Sequence, residues 1–95
     1  MVSEQTIEQH AVREAKKRGG KALKFTSPST KGVPDRLIIL PGGKVGFLEL
    51  KSSIGKPTKL QIYWLKYLEK LGCRTGIANS KDSVNQFMDI LENDS

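Results

Sequence analysis

Ninety-five residues, 37% hydrophobic and 27% charged, suit one domain with a single modest core; they exclude a disordered tail and a second core. No apolar run approaches the roughly 20 residues of a membrane span, and the amino terminus has no signal-peptide pattern. A lone Cys73 excludes an intrachain disulfide or a cysteine metal cluster, so a cytoplasmic protein is expected. The net charge of +6 is uneven: residues 1–59 hold twelve Lys/Arg against five Asp/Glu, and residues 60–95 hold four against five. Such a basic half suits a polyanion, nucleic acid above all, or serves only as a solvated surface.

Taken in chain order, Ser3 to Arg18 reads as a helix that Gly19-Gly20 stops. Ala22 to Thr26 reads as a short strand, followed by the polar loop Ser27 to Gly32. Asp35 to Leu40 is the next strand, and its run Leu37-Ile38-Ile39-Leu40, apolar on both faces, predicts a central place in a covered sheet. Pro41 to Lys44 forms a tight turn, and Val45 to Lys51 returns as the hairpin partner. After Ser52 to Pro57, a helix runs from about Thr58 to Leu71, with Leu60, Trp64, Tyr67, Leu68 and Leu71 assigned to the core. Arg74 to Asn79 is a strand, and Ser80 caps a last helix carrying Val84, Phe87, Met88 and Leu91 at helical spacing. No internal repeat or linker interrupts this αβββαβα order, which places a small sheet against helices.

In Val45 to Lys51 the side chains alternate, so Glu49 and Lys51 emerge on one face. A carboxylate beside an ammonium at a strand end can hold a divalent cation and orient a water against a phosphate. Gly32-Val33-Pro34-Asp35 would aim a second acid at the sheet edge, because Gly32 permits unusual backbone angles and Pro34 holds Val33 extended. Taken without Glu49 and Lys51, Asp35 reads as a residue that simply ends a turn.

In the first helix Ile7, Ala11, Val12 and Ala15 form an apolar arc with Glu8 near its middle. An inward carboxylate needs a cation, a donor or a wet cleft. Glu8 is therefore a candidate third acid, with Glu4 its rival one turn earlier and a wet boundary the plainer alternative. Gln61 closes a capping box with Thr58, yet it also points to the buried side of its helix. Lys59, Tyr63, Lys66 and Lys70 make a basic stripe with one aromatic, which either tracks phosphates or is a solvated face. His10 has no local partner and reads as a surface residue. Cys73 has no companion base, and Gly42-Gly43-Lys44 precedes no helix, so neither a thiol nucleophile nor a phosphate-binding loop is expected.

Gly32-Val33-Pro34-Asp35, then Glu49-Leu50-Lys51, then Gln61, in this order within the αβββαβα pattern, resembles the VRR-NUC branch of the PD-(D/E)XK nuclease superfamily across nearly the whole chain. The resemblance implies a restriction-endonuclease-like core with a small mixed sheet flanked by helices, as in stand-alone phage members, and the cytoplasm of the host cell if phage-encoded. It implies that Asp35, Glu49 and the Leu50 carbonyl bind Mg²⁺ or Mn²⁺. Lys51 would serve the attacking water or the phosphate, and Glu8 and Gln61 would match the family's helix acid and helix glutamine, with metal contact open to Glu8. Lys16, Lys17, Arg18, Thr30, Lys31, Arg36 and Lys59 are candidate DNA contacts, giving affinity without sequence specificity.

The expected substrate is branched DNA, cut by a homodimer as junction resolvases do, since one subunit offers one active site. The competing readings are a monomeric flap or general duplex nuclease and a non-catalytic nucleic-acid-binding module on the same scaffold, with an assembly role further off.

Overall fold

Three helices and four strands appear in the computed structural model, which describes residues 1–94, and they follow the expected order. The elements are α1 (Glu4–Lys17), β1 (Lys21–Lys24), β2 (Arg36–Leu40), β3 (Lys44–Leu50), α2 (Lys59–Lys70), β4 (Arg74–Ala78) and α3 (Lys81–Glu92). Each helix starts on a hydroxyl that accepts an otherwise orphaned amide: Ser3 from Thr6, Thr58 from Gln61 and Ser80 from Ser83. The Thr58–Gln61 and Ser80–Ser83 pairs are full capping boxes. Gly19, at φ 86°, turns the chain out of α1 in the left-handed region that favours glycine.

The sheet order is β1-β2-β3-β4. β1, β2 and β3 run antiparallel, and α2 carries the chain across so that β4 lies parallel to β3. The register sets Ile38 opposite Gly46 and Leu48 beside Gly76, so one face of the sheet is a continuous apolar layer with two gaps. Phe87 of α3 fills both: a Cβ at Gly76 would lie 2.5 Å from its ring, and one at Gly46 2.8 Å. Ile7, Ala11 and Ala15 of α1 and Val84, Met88 and Leu91 of α3 close over Ile38, Leu40, Leu48, Leu50 and Ala78 to form the core. Burying each large side chain here is worth about 1.5–3 kcal/mol. The small alanines of α1 let that helix settle close to the layer.

The opposite face is only partly covered, and two expectations are corrected there. α2 packs on β4, the edge strand, and presents one narrow stripe to the sheet. Leu65 is its one buried residue; Leu60, Tyr67 and Leu71, read as core, are 46%, 43% and 64% exposed. Central β2 is likewise sealed on one face and half-buried on the other. A helix that meets a sheet along its margin buries fewer positions than its hydrophobic pattern offers. Val12 is also exposed, because the apolar arc of α1 narrows to Ile7, Ala11 and Ala15.

Among the described residues no helix is long and apolar enough to cross a membrane.

Candidate active site

Asp35 lies just before β2, and its carbonyl accepts from the Phe25 amide at 2.7 Å, so strand pairing extends one residue beyond β2. Arg36 pairs with Leu48 across the antiparallel ladder. One step further along the same register sets Asp35 opposite Glu49. The Asp35 carboxylate also accepts from the Leu50 amide at 3.1 Å, which fixes it against the end of β3. Lys51 emerges on the Glu49 side, as strand alternation requires, with Nζ 3.4 Å from Glu49 Oε2. The backbone of Lys51 is anchored in turn by its amide, which donates to the Ala78 carbonyl of β4 at 2.9 Å. Asp35, Glu49, Leu50 and Lys51 are therefore brought together by three strands.

The loop that enters β2 is fixed from outside the sheet. Gly32 adopts φ 89°, and a Cβ there would lie 2.6 Å from Leu60 Cγ. Only glycine allows the first turn of α2 to press on the Gly32-Val33-Pro34 segment so closely. This contact brings Gln61 to the same end of the sheet. The Gln61 amide oxygen accepts from the Thr58 backbone at 2.9 Å, so the capping role is real, and the amide nitrogen is the part left for other work.

Glu49 is the electrostatic centre. It is 1% exposed, and neither carboxylate oxygen has a hydrogen-bond partner among the described residues. Burial in the sheet, reinforced by the Asp35 carboxyl beside it, pushes its pKa up to about 8; Lys51 opposes the rise without overcoming it. A buried acid left in this state is costly. The donor set itself, two facing carboxylates of which Glu49 has only the Lys51 ion pair at 3.4 Å and Asp35 one backbone amide, suits a divalent cation. No group of three or more His, Cys, Asp or Glu placed to hold a metal exists among the described residues, so any ion there would need backbone or water oxygens as well.

Glu8 behaves differently. Its inward direction is answered by the guanidinium of Arg36, with Arg36 Nη2 donating to Glu8 Oε1 at 2.7 Å. Sequence reasoning asked for a cation to receive this acid but did not identify Arg36, which lies 28 residues away. Arg36 also donates to the Ala22 carbonyl, and its side chain is 12% exposed. Its guanidinium is thus turned inward rather than presented on an open surface, with Nε buried and without a hydrogen-bond partner among the described residues. Arg18 is likewise turned into the fold: at 15% exposure it joins Glu14, Asp89 and Glu92, clamping α1 to α3. Glu4 sits exposed in the first turn of α1.

Lys31 and Lys59 are exposed, and both flank the entrance formed by the Gly32 loop and the start of α2; Thr30 is half-buried in the same loop. Lys16 and Lys17 are exposed too, but they lie at the far end of the sheet. There Gly20 crowds the carbonyl of Ile39, near the end of β2, roughly 14 Å along the strand from Asp35. His10 is not a free surface group, since Nε2 meets Asn85 Oδ1 at 2.8 Å across the α1–α3 seam. The two residues are 75 apart in the chain, so no local pattern could reveal the pair.

The paired acids, the neighbouring lysine and the mixed sheet that holds them define a small α/β nuclease domain of the PD-(D/E)XK type. No family model matches the chain. A relative from Acyrthosiphon pisum secondary endosymbiont phage 1, described as "Putative nuclease p44", is 44% identical over 82 residues, which cover 86% of this chain and 88% of the relative. A solved structure described as a VRR_NUC domain is similar at a TM-score of 0.84 and 26% identity, covering 94% of this chain and 97% of that one. The chain belongs to the VRR-NUC family.

Proposed function

We propose that this VRR-NUC protein is a divalent-metal-dependent endonuclease that cuts branched DNA, a four-way junction first of all, as a homodimer. The observation that carries the reading is Glu49, a fully buried acid whose oxygens lack hydrogen-bond partners, set opposite Asp35 and beside Lys51. Asp35, Glu49 and the Leu50 carbonyl would hold Mg²⁺ or Mn²⁺. When bound, the cation supplies a Lewis acid for the scissile phosphate and offsets the charge that gathers on it.

The chain's own residues supply the rest. Glu49 gives up the proton that its raised pKa retains near neutrality, which makes cation binding pH-dependent. Lys51, whose Nζ lies 3.4 Å from Glu49 Oε2, would present its ammonium to the attacking water and to the phosphate oxygens. Gln61 offers its amide nitrogen from the start of α2. Glu8 is a positioning residue in this scheme, steadying Arg36 and so the strand that begins beside Asp35. Lys31, Thr30 and Lys59 contact phosphates near the site; Lys16 and Lys17 meet the DNA only if it runs the length of the sheet. One subunit carries one such site, so paired cuts across a junction require a two-fold dimer.

The test is cleavage of labelled four-way junctions, flaps and linear duplexes, with and without Mg²⁺ or Mn²⁺, alongside the mass in solution. Junction cleavage that needs metal, fails on Lys51→Ala and accompanies a dimeric mass is the expected result. Equal rates on linear duplex with a monomeric mass would replace the dimer with a general duplex or flap nuclease. Tight binding without cleavage in Mn²⁺ would leave only a binding module.

A further inference from the structure

α2 carries a surface that neither the core nor the acid cluster uses. Tyr63 and Tyr67 are 57% and 43% exposed on the side of the helix away from the sheet. Their rings are nearly parallel, 6° apart in plane, with centroids 6.2 Å from each other. Trp64, half-buried beneath them, meets both edge-on at 5.5 and 5.6 Å. The two phenol rings stack on one another and are braced by the Trp64 edge contacts, while their outward sides stay exposed. Lys66 and Lys70 join them around a shallow depression of about 210 Å³. Lys59 continues the same stripe, since positions 59, 63, 66 and 70 recur at helical spacing.

Exposed aromatics held rigid cost solubility and return no core packing, so such a patch marks a contact surface. Its charge selects the partner. Lys59, Lys66 and Lys70 supply cations along the stripe; Glu69, one turn from Lys66, shares with it the flank beside Thr75 and Ile77, which leaves Lys59 and Lys70 in excess. A second copy docked face to face here would set lysine against lysine. A polyanion with flat apolar groups meets both features: phosphates on the lysines and bases on the tyrosine faces. In a duplex those base faces are stacked on one another, so the partner is an unpaired strand.

We infer that α2 is a stacking platform for single-stranded DNA leading away from the cleavage site, an inference that rests on the nuclease reading and adds a substrate feature to it. The helix is placed for this. Its first turn presses on Gly32, three residues before Asp35, and Tyr63 and Tyr67 follow Lys59 by about 6 and 12 Å along the axis. A frayed arm at a branch would pass from the acids onto the two rings.

The test is binding of a fluorescent 20-nucleotide oligothymidine, and of a linear duplex of equal length, to the full chain with metal chelated so that no cleavage intervenes. Trp64 fluorescence, in contact with both tyrosines, serves as a second readout. Tyr63→Ala and Tyr67→Ala should each weaken single-strand binding about tenfold, as one lost stacking contact does. Duplex binding should change less than about twofold. Tyr→Phe at either position should restore affinity, and Lys66→Gln should lower the salt dependence by about one phosphate contact. Single-strand affinity that stays within about twofold in the double alanine variant overturns the platform. So does a variant whose only change is loss of a dimeric mass, which would make this face an interface between copies. Absence of cleavage by a chain that still binds the strand would defeat the nuclease and leave the platform standing.

Discussion

Two clusters of charge occupy opposite ends of the same sheet, and they differ in how completely they are satisfied. At one end Arg18 meets Glu14 at 2.8 Å, Asp89 at 2.9 Å and Glu92 at 2.7 Å. Burial works against the Arg18 charge, yet Glu14 and Asp89 outweigh it and raise its pKa, while the Arg18 guanidinium holds the Glu14 carboxyl below its usual range. At the other end Glu49 lacks a hydrogen-bond partner, crowds Asp35 and is pushed up to about 8. The first cluster closes on itself and joins two helices. The second stays incomplete among the described residues, with the Lys51 ammonium at 3.4 Å as the ion pair of Glu49. Acids and bases near a sheet therefore carry function where the fold leaves them short of partners, and structure where it does not.

The largest effect that would test this contrast is chemical. Lys51→Ala or Glu49→Gln should lower metal-dependent cleavage by about 10³-fold or more, read as single-turnover rates on a labelled junction. Arg18→Ala, measured per folded molecule, should leave that rate unchanged. If both ends reduced the rate alike, the distinction between them would collapse.

Stability against pH should separate the ends next. Glu49 has a folded pKa of about 8 against an unfolded value near 4.3, so the metal-free fold binds the extra proton between those limits. Its contribution is complete below the lower value and is lost as pH rises through the higher one. Melting of the metal-free protein should consequently weaken from about pH 5 to pH 8, and Glu49→Gln should flatten that slope. Added Mg²⁺ or Mn²⁺ should raise the melting temperature more at pH 8 than at pH 6, in the native protein and not in Asp35→Asn. Glu14 has the opposite sign, since its lowered pKa gives stability above the unfolded value that is lost only in more acidic solution.

Arg18→Ala should cost about 1–2 kcal/mol, because two of its three carboxylates are well exposed and water screens them. Calorimetry should show that loss as a fall of several degrees in melting temperature. The smallest change belongs to a surface cation beside the site. Lys31→Gln should reduce the salt dependence of DNA binding by about one contact, with cleavage at saturating DNA unaltered.

Much of the fold follows from local chemistry. Ser3, Thr58 and Ser80 mark helix starts by a hydroxyl that must reach an orphaned amide, and the alternation of Val45 to Lys51 already puts Glu49 and Lys51 on one face. Those are short-range constraints, visible within a few residues. The Asp35–Glu49 opposition and the Arg36–Glu8 pair depend instead on strand register and on a helix crossing the sheet, at separations no period of 2 or 3.6 reports. α2 shows the converse error. Its pattern of Leu60, Tyr67 and Leu71 has core spacing, but its place over an edge strand leaves them in solvent.

By itself, then, the sequence determined the elements, their order and the acid and lysine that share the end of β3, because capping, turn formation and strand alternation act between near neighbours. Only the tertiary structure decided which charges would be satisfied. Arg18 found three carboxylates along the packed α1–α3 seam and Arg36 found Glu8, whereas Glu49 was buried opposite another acid with one lysine at 3.4 Å. Burial and partner count are properties of the assembled fold, since they arise where distant segments meet and exclude water.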